Sequence, residues 1–271
     1  MTNRRYKVVI TNDDGIESPG LAAAVQAVEP FAEVLIVAPA TQQTAMGRAQ
    51  VGKAASVLQK RVLTIGDRQF EGFACEAAPA RVLGHALNIF SDFRPDLVIS
   101  GINYGENLGA NITSSGTVGA AMEGAYRGIP AIAASLETPI HSHFTYTEQN
   151  WESSIQILRR LAYTSLSESF PADVDILKVD VPSTATPESP WRITRLSKTL
   201  YYRSTLDNPS LTSPLGEAVT SKGADEQEPE DTDVYALAVD RVVSVTPISL
   251  DLTAKSAFSR SGAWGACFKQ S

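Results

Sequence analysis

The chain has 271 residues, of which 43% are hydrophobic and 20% charged, and 23 Lys+Arg against 30 Asp+Glu give a net charge of −7. That length is enough for one large domain or one domain plus an extension, and the acidic balance excludes a general field for holding a nucleic acid polymer or an anionic membrane. Any phosphate must therefore be captured locally.

Cys75 and Cys267 lie far apart with no CxxC partner, which excludes a disulfide framework and a thiolate-rich metal centre. Three histidines are too few for a His-rich zinc or copper site. No apolar run approaches the roughly 20 residues of a membrane span, and the first residues carry no leader pattern. A cytoplasmic protein is expected.

Along the chain, Tyr6–Thr11 (YKVVIT) predicts a buried strand ending at a turn signal. Ser18 and Pro19 then predict an N-cap and first helical position for a helix over Leu21–Phe31. Glu33–Pro39 predicts a second strand closed by a polar loop, and 55–74 reads as two strands around Gly66-Asp67. Ala80–Phe90 follows as a helix. Asp96–Ser100, a Gly/Asn-rich loop, the helix Gly116–Arg127 and the strand Ile129–Ser135 repeat the strand–loop–helix–strand rhythm. A helix over Glu148–Ser167 and a strand over Asp175–Val181 continue it.

This alternation predicts an α/β protein with a doubly wound, mostly parallel sheet over residues 1–185. Residues 186–271 read as a β-containing extension on that sheet, with strands at Arg192–Leu196 and Val242–Thr246 flanking an acidic, solvated loop over Ser204–Asp233. In doubly wound sheets functional groups collect at the carboxyl ends of the strands, which singles out the loops after Thr11, Pro39 and Ser100.

Asn12-Asp13-Asp14-Gly15 stands at the first of these ends. Alone it is a turn signature, with Gly15 allowing the sharp bend. Adjacent carboxylates repel each other, more so when buried, and a cation between them removes that cost. Hard oxygen ligands select Mg²⁺, Mn²⁺ or Ca²⁺. Asn103, just past the third strand end, supplies a further carbonyl oxygen, and Asn107 a donor for an oxyanion. Ser114-Ser115-Gly116-Thr117 precedes a helix, whose free N–H groups and hydroxyls suit a phosphate; Ser115 also reads as a plain helix cap. A hydroxyl of the Thr41–Gly47 loop is a further candidate metal ligand.

Several other patterns fail or stay bland. Gly47–Lys53 fits GxxxxGK, but Ala54 stands where a P-loop needs Ser or Thr. The GxGxxG of a dehydrogenase is missing, and no carboxylate follows Asp13 or Asp14 two residues on, as an aspartyl-phosphate phosphatase requires. His85 reads as a packed or surface residue, and His141 and His143 as solvated loop residues, one of which is a candidate proton donor.

Together, TNDDG at 11–15, SPGL at 18–21, VAP at 37–39, PDLVISGINYGENLG at 95–109, SGTVGAAMEG at 115–124, TDVYAL at 232–237 and VVSVTPISLDLT at 242–253 resemble the SurE family of metal-dependent 5′/3′-nucleotidases. The resemblance implies a Rossmann-like core and a C-terminal extension exchanged between subunits of a homodimer or homotetramer. It implies a single divalent ion, Mg²⁺ or Mn²⁺, on Asp13, Asp14, Asn103 and Thr44, the last in place of the family's serine. It also implies nucleoside monophosphates as substrates, with short polyphosphate for some members. Ala45 stands where a glycine is usual, and Ser114 where many members have tyrosine.

The expected reaction is hydrolysis of a phosphomonoester by water attacking in line, with the cation neutralising phosphoryl charge. Ser115, Gly116, Thr117 and Asn107 hold the phosphate, and Asp13 or Asp14 positions the water. The alternative is a non-catalytic nucleotide-binding regulator with the same pocket.

Overall fold

Tyr6–Thr11 forms the central strand β1, and its alternating side chains supply two cores. Val8 and Ile10 join Leu21, Val25, Ile155 and Leu158 on one face, while Val9 joins Val82, Leu83, Val118 and Ala121 on the other. Each face is covered by a helix pair, α1 (Pro19–Val28) with α4 (Glu152–Ser167) and α2 (Pro79–Ile89) with α3 (Gly116–Tyr126). The computed structural model describes residues 5–254; Cys267 and residues 255–271 of the extension lie outside the described residues.

The remaining strands are β2 (Ala32–Pro39), β3 (Gln59–Ile65), β4 (Arg68–Cys75), β5 (Leu97–Tyr104), β6 (Ala131–Leu136), β7 (Ile176–Val181), β8 (Trp191–Ile193), β9 (Tyr202–Thr205), β10 (Val219–Lys222) and β11 (Val243–Ile248). A nine-stranded sheet runs β3-β4-β2-β1-β5-β6-β7-β11-β8. The strands from β4 to β7 pair in parallel, β3 is antiparallel to β4 and β11 to β7. The chain winds outward from β1 through β2, then returns to β5 and winds the other way through β6 and β7. The switch point lies between β1 and β5, where such sheets open a crevice at their carboxyl ends.

Helix α1 begins as the sequence predicts: the Ser18 hydroxyl accepts from Gly20 N at 3.2 Å, with Pro19 next. A Cβ on Gly20 would stand 1.9 Å from the Ile102 carbonyl oxygen, so only glycine lets this helix lie against β5. Strand β5 is longer than expected. The Gly/Asn-rich stretch continues the strand through Tyr104, with a register shift between Ser100 and Asn103 against β6. Gly101 takes φ +133°, a backbone conformation that side-chain-bearing residues avoid, which is how the irregularity is accommodated.

The acidic segment also departs from expectation. It contains the β9–β10 hairpin and leads into the short helix α5 (Asp233–Ala238), and Glu228 and Asp233 are buried. Partners account for this: Glu228 accepts from the Thr199 and Thr232 hydroxyls, and Asp233 from the backbone N–H groups of Gly109, Ser197 and Val234. Strand β11, from the same part of the chain, joins the main sheet. No helix among the described residues is long and apolar enough to cross a membrane.

Candidate active site

At the end of β1 the Asn12 side chain closes the turn on itself, its Oδ1 accepting from Gly15 N at 3.0 Å and its Nδ2 donating to Gly15 O at 3.1 Å. Gly15 sits at φ +110°. This rigid turn places Asp13 and Asp14 in the β1/β5 crevice, 6% and 3% exposed.

Asp13 lies on the N-terminus of α3. Thr117 Oγ1 donates to its Oδ1 at 2.5 Å, and the Gly116 and Thr117 N–H groups add to the stabilisation. A Cβ on Gly116 would fall 2.7 Å from the Asp13 carboxylate, so glycine is required for this approach. Burial nevertheless dominates and pushes the Asp13 carboxyl up to about 6. Asp14 accepts from Tyr104 N at 3.1 Å and Gln42 Nε2 at 3.2 Å. Burial first and the Asp13 charge second hold it well above the usual carboxylate range. Among the described residues neither carboxylate has a Lys, Arg or His ion-pair partner.

A cavity of about 280 Å³ opens over this pair, lined in part by Asp13, Asp14, Thr44, Asn103, Asn107 and Ser115. The structure thus brings six of the eight expected site residues to one cavity. The other two, Gly116 and Thr117, do not line it; Thr117 commits its hydroxyl to Asp13, because the carboxylate already occupies the helix end where a phosphate was expected. Ser115 caps α3, its Oγ accepting from Val118 N at 3.1 Å. Asn103 donates from Nδ2 to Tyr104 O and Gly105 O, which leaves Oδ1 as the atom available to the cavity. Asn107 donates from Nδ2 to Ser135 Oγ at 2.9 Å, while its N–H is fixed by Asp180 at 2.7 Å.

A divalent cation fits these residues. Two buried carboxylates with no ion-pair partner among the described residues are relieved by a bound cation once they ionise, and the surrounding donors are hard oxygens. No group of three or more His, Cys, Asp or Glu side chains converges as a metal site among the described residues, so neutral oxygens such as those of Asn103 and Thr44 would complete the shell.

Other expectations change on inspection. His143 is not a solvated loop residue: its ring packs against Gly105, lines the cavity and is held below the usual histidine range mainly by burial. His141 is exposed. The GxxxxGK segment is no phosphate loop, because Gly47 donates to Ser114 O, Gly52 packs on Ala77, and Lys53 pairs with Glu76 on the surface at 2.8 Å. Residues with no signal in the sequence include Gln42, Glu106, Tyr202 and Lys222. Tyr146, whose hydroxyl donates to Asp14 O at 2.6 Å, is another.

A family model described as Survival protein SurE matches residues 8–203. The chain is 40% identical to a 5′-nucleotidase SurE of Thermococcus gammatolerans, over 94% of both chains. It is 38% identical to that of Methanocella arvoryzae, over 92% of this chain and 94% of the relative. The crystal structure of the SurE protein from Aquifex aeolicus superposes with a TM-score of 0.71 at 30% identity, covering 93% of this chain and 96% of that one. A family match across most of the length, close relatives spanning nearly all of it, and the shared fold establish that the chain belongs to the SurE family.

Proposed function

We propose that this protein is a metal-dependent nucleotidase that hydrolyses nucleoside monophosphates to nucleoside and phosphate. The observation that carries this reading is the Asp13–Asp14 pair: adjacent, nearly fully buried carboxylates with no ion-pair partner among the described residues, at the switch point of a doubly wound sheet and open to a cavity. Relatives named 5′-nucleotidase at 38–40% identity support the reaction class.

Asp13, Asp14, Asn103 and Thr44 would hold one Mg²⁺ or Mn²⁺ ion. When bound, such an ion supplies neutralisation of phosphoryl charge and acidification of a water. The protein's own groups do the positioning. Thr117 and the start of α3 fix Asp13, while Gln42 and the Tyr104 N–H fix Asp14, so the carboxylate that orients the attacking water does not have to rearrange. Ser115 accepts from Val118 N and keeps its own O–H to donate, and Asn107 keeps one amide N–H, so both can hold phosphoryl oxygens. Gly116 and Thr117 act through Asp13 rather than on the phosphate.

The same reading makes residues 186–271 an oligomerisation extension on a catalytic domain over 1–185. Leu206, Leu211, Leu215 and Val219, exposed along the β9–β10 hairpin, support a subunit contact there.

Phosphate release from a panel of nucleoside 5′- and 3′-monophosphates, sugar phosphates and polyphosphate, with Mg²⁺, Mn²⁺ or chelator, tests the function. Turnover that needs the metal is expected, with Asn103→Ala losing most of it and Lys53→Ala keeping it. Nucleotide binding without any turnover would favour the regulatory alternative, and an essential Lys53 with a dispensable Asn103 would overturn the site.

A further inference from the structure

One wall of the cavity is built by residues that the chemistry at Asp13 and Asp14 does not use. Glu106, in the loop after β5, is 2% exposed and lines the cavity. Its Oε1 accepts from Lys222 Nζ at 2.6 Å, and Lys222, at the end of β10, also donates to Thr138 O at 2.8 Å. The second carboxylate oxygen, Oε2, is buried without a hydrogen-bond partner. Around it the Tyr202 hydroxyl, His143 Nε2 and Thr138 Oγ1 share that condition. The His143 and Tyr202 rings meet edge to face at 5.7 Å. Burial first, then the nearby Glu106 charge and Glu106 as a side-chain hydrogen-bond partner push the Tyr201 and Tyr202 phenols far up, so both hydroxyls approach this carboxylate, yet neither closes on Oε2, which stays without a partner.

A buried charged acceptor left unpaired is unfavourable, so this wall is complete only when a donor arrives. Lys222 neutralises Glu106, and Oε2 can only accept. A phosphate offers acceptors alone and is drawn to the other end, where a cation fits. Glu106 follows Asn103 by three residues, a span of at most about 10 Å. A ligand with its phosphate at the Asp13–Asp14–Asn103 end therefore meets Glu106 with its adjoining atoms. In a nucleotide these are the ribose and its hydroxyls, and in doubly wound nucleotide sites an acidic side chain is the usual acceptor for them.

We infer that Glu106, set in place by Lys222, accepts a hydrogen bond from the substrate's ribose hydroxyls and makes ribonucleoside monophosphates the preferred substrates over their deoxy counterparts. The inference rests on the nucleotidase reading of the same cavity, and it gives the extension, through Lys222, a part in substrate choice.

The test compares kcat and KM for AMP, 2′-deoxy-AMP and 2′,3′-dideoxy-AMP in the wild type and in the double variant Glu106→Met, Lys222→Met. Exchanging both partners of a buried pair for apolar side chains of similar length is the change such pairs tolerate best. The wild type should favour AMP over dideoxy-AMP by about tenfold or more, mainly through KM, as expected for one hydrogen bond to a charged acceptor. In the double variant that ratio should collapse towards one.

A wild type indifferent to the sugar hydroxyls would overturn the inference. So would a double variant that loses activity on all three substrates while keeping the ratio. Calorimetry of adenosine and 2′,3′-dideoxyadenosine binding to the wild type and to Glu106→Asp reads the same preference without turnover, and decides the matter should the double variant not fold. Absence of phosphate release from every substrate, 4-nitrophenyl phosphate included, would instead count against the nucleotidase reading, while the binding comparison would still judge Glu106.

Discussion

Removing the metal should leave a protein that becomes less stable as the pH rises towards neutrality. Asp13 carries the calculation, since it is 6% exposed and its carboxyl is raised from 3.8 to about 6. Between those values the folded chain keeps a proton that the unfolded chain has released, so stability falls as pH rises through the window and stays low above it. At 1.36 kcal/mol per pH unit the loss is about 3 kcal/mol. For a chain of this size that amounts to roughly 6–12 °C in Tm. Asp14, raised for the same reason and further by its neighbour's charge, adds in the same direction and extends the window upward.

A cation binding only the ionised folded pair reverses the effect, so its stabilisation should grow as pH rises through about 6. His143, half-buried and held low, works in the opposite sense, favouring the folded state above its unfolded pKa, but it does so with or without metal. Thermal unfolding in chelator and in saturating Mg²⁺ or Mn²⁺, at pH 5 and pH 7.5, isolates the carboxylate pair as the difference between the two curves. A metal stabilisation of equal size at both pH values would refute the assignment of the cation to Asp13 and Asp14.

Thr44 lines the cavity with an exposed hydroxyl, so Thr44→Ser should behave as wild type, whereas Thr44→Val should raise the metal concentration needed for half-maximal activity; a metal titration unchanged in Thr44→Val would remove it from the shell. Lys178 is fully buried between Asp180 and Asp233, at 3.1 Å from the latter. Burial lifts the Asp180 carboxyl while the two acids lift the Lys178 ammonium; we hold that Lys178 stays charged, because two carboxylates face it in a fully buried cluster. Lys178→Met should then cost about 3–5 kcal/mol in denaturant unfolding, the penalty for orphaning buried charge, and a loss under 1 kcal/mol would refute a charged Lys178 in this cluster.

The local signals in the sequence translate directly into structure because they concern neighbours in the chain. Ser18-Pro19 starts α1, Ser115 caps α3, and the alternation in β1 divides the two cores. The Asp13-Asp14 pair is legible for the same reason: strand, turn and charge are adjacent. Long-range partners are not. Lys178 and Asp180 sit two apart on β7, a spacing that on a half-exposed strand would mean a solvated face. They are instead buried, because Asp233 arrives from α5 more than fifty residues later, and the same cluster fixes the backbone of Gly109 and of Asn107, which lines the cavity. Nothing within β7 announces that partner.

The start of α3 is a subtler case. A helix N-terminus attracts an anion, and the sequence shows the donors without showing which anion takes them. Here the occupant is the protein's own Asp13, drawn close by the missing Cβ of Gly116. The consequence is functional as well as structural. Donors that would have bound phosphate weakly from the protein side instead orient a carboxylate and offset part of the cost of burying it. On the proposed reading the pair then recruits a cation, whose charge would act on the phosphate that an acidic protein has no general field to hold.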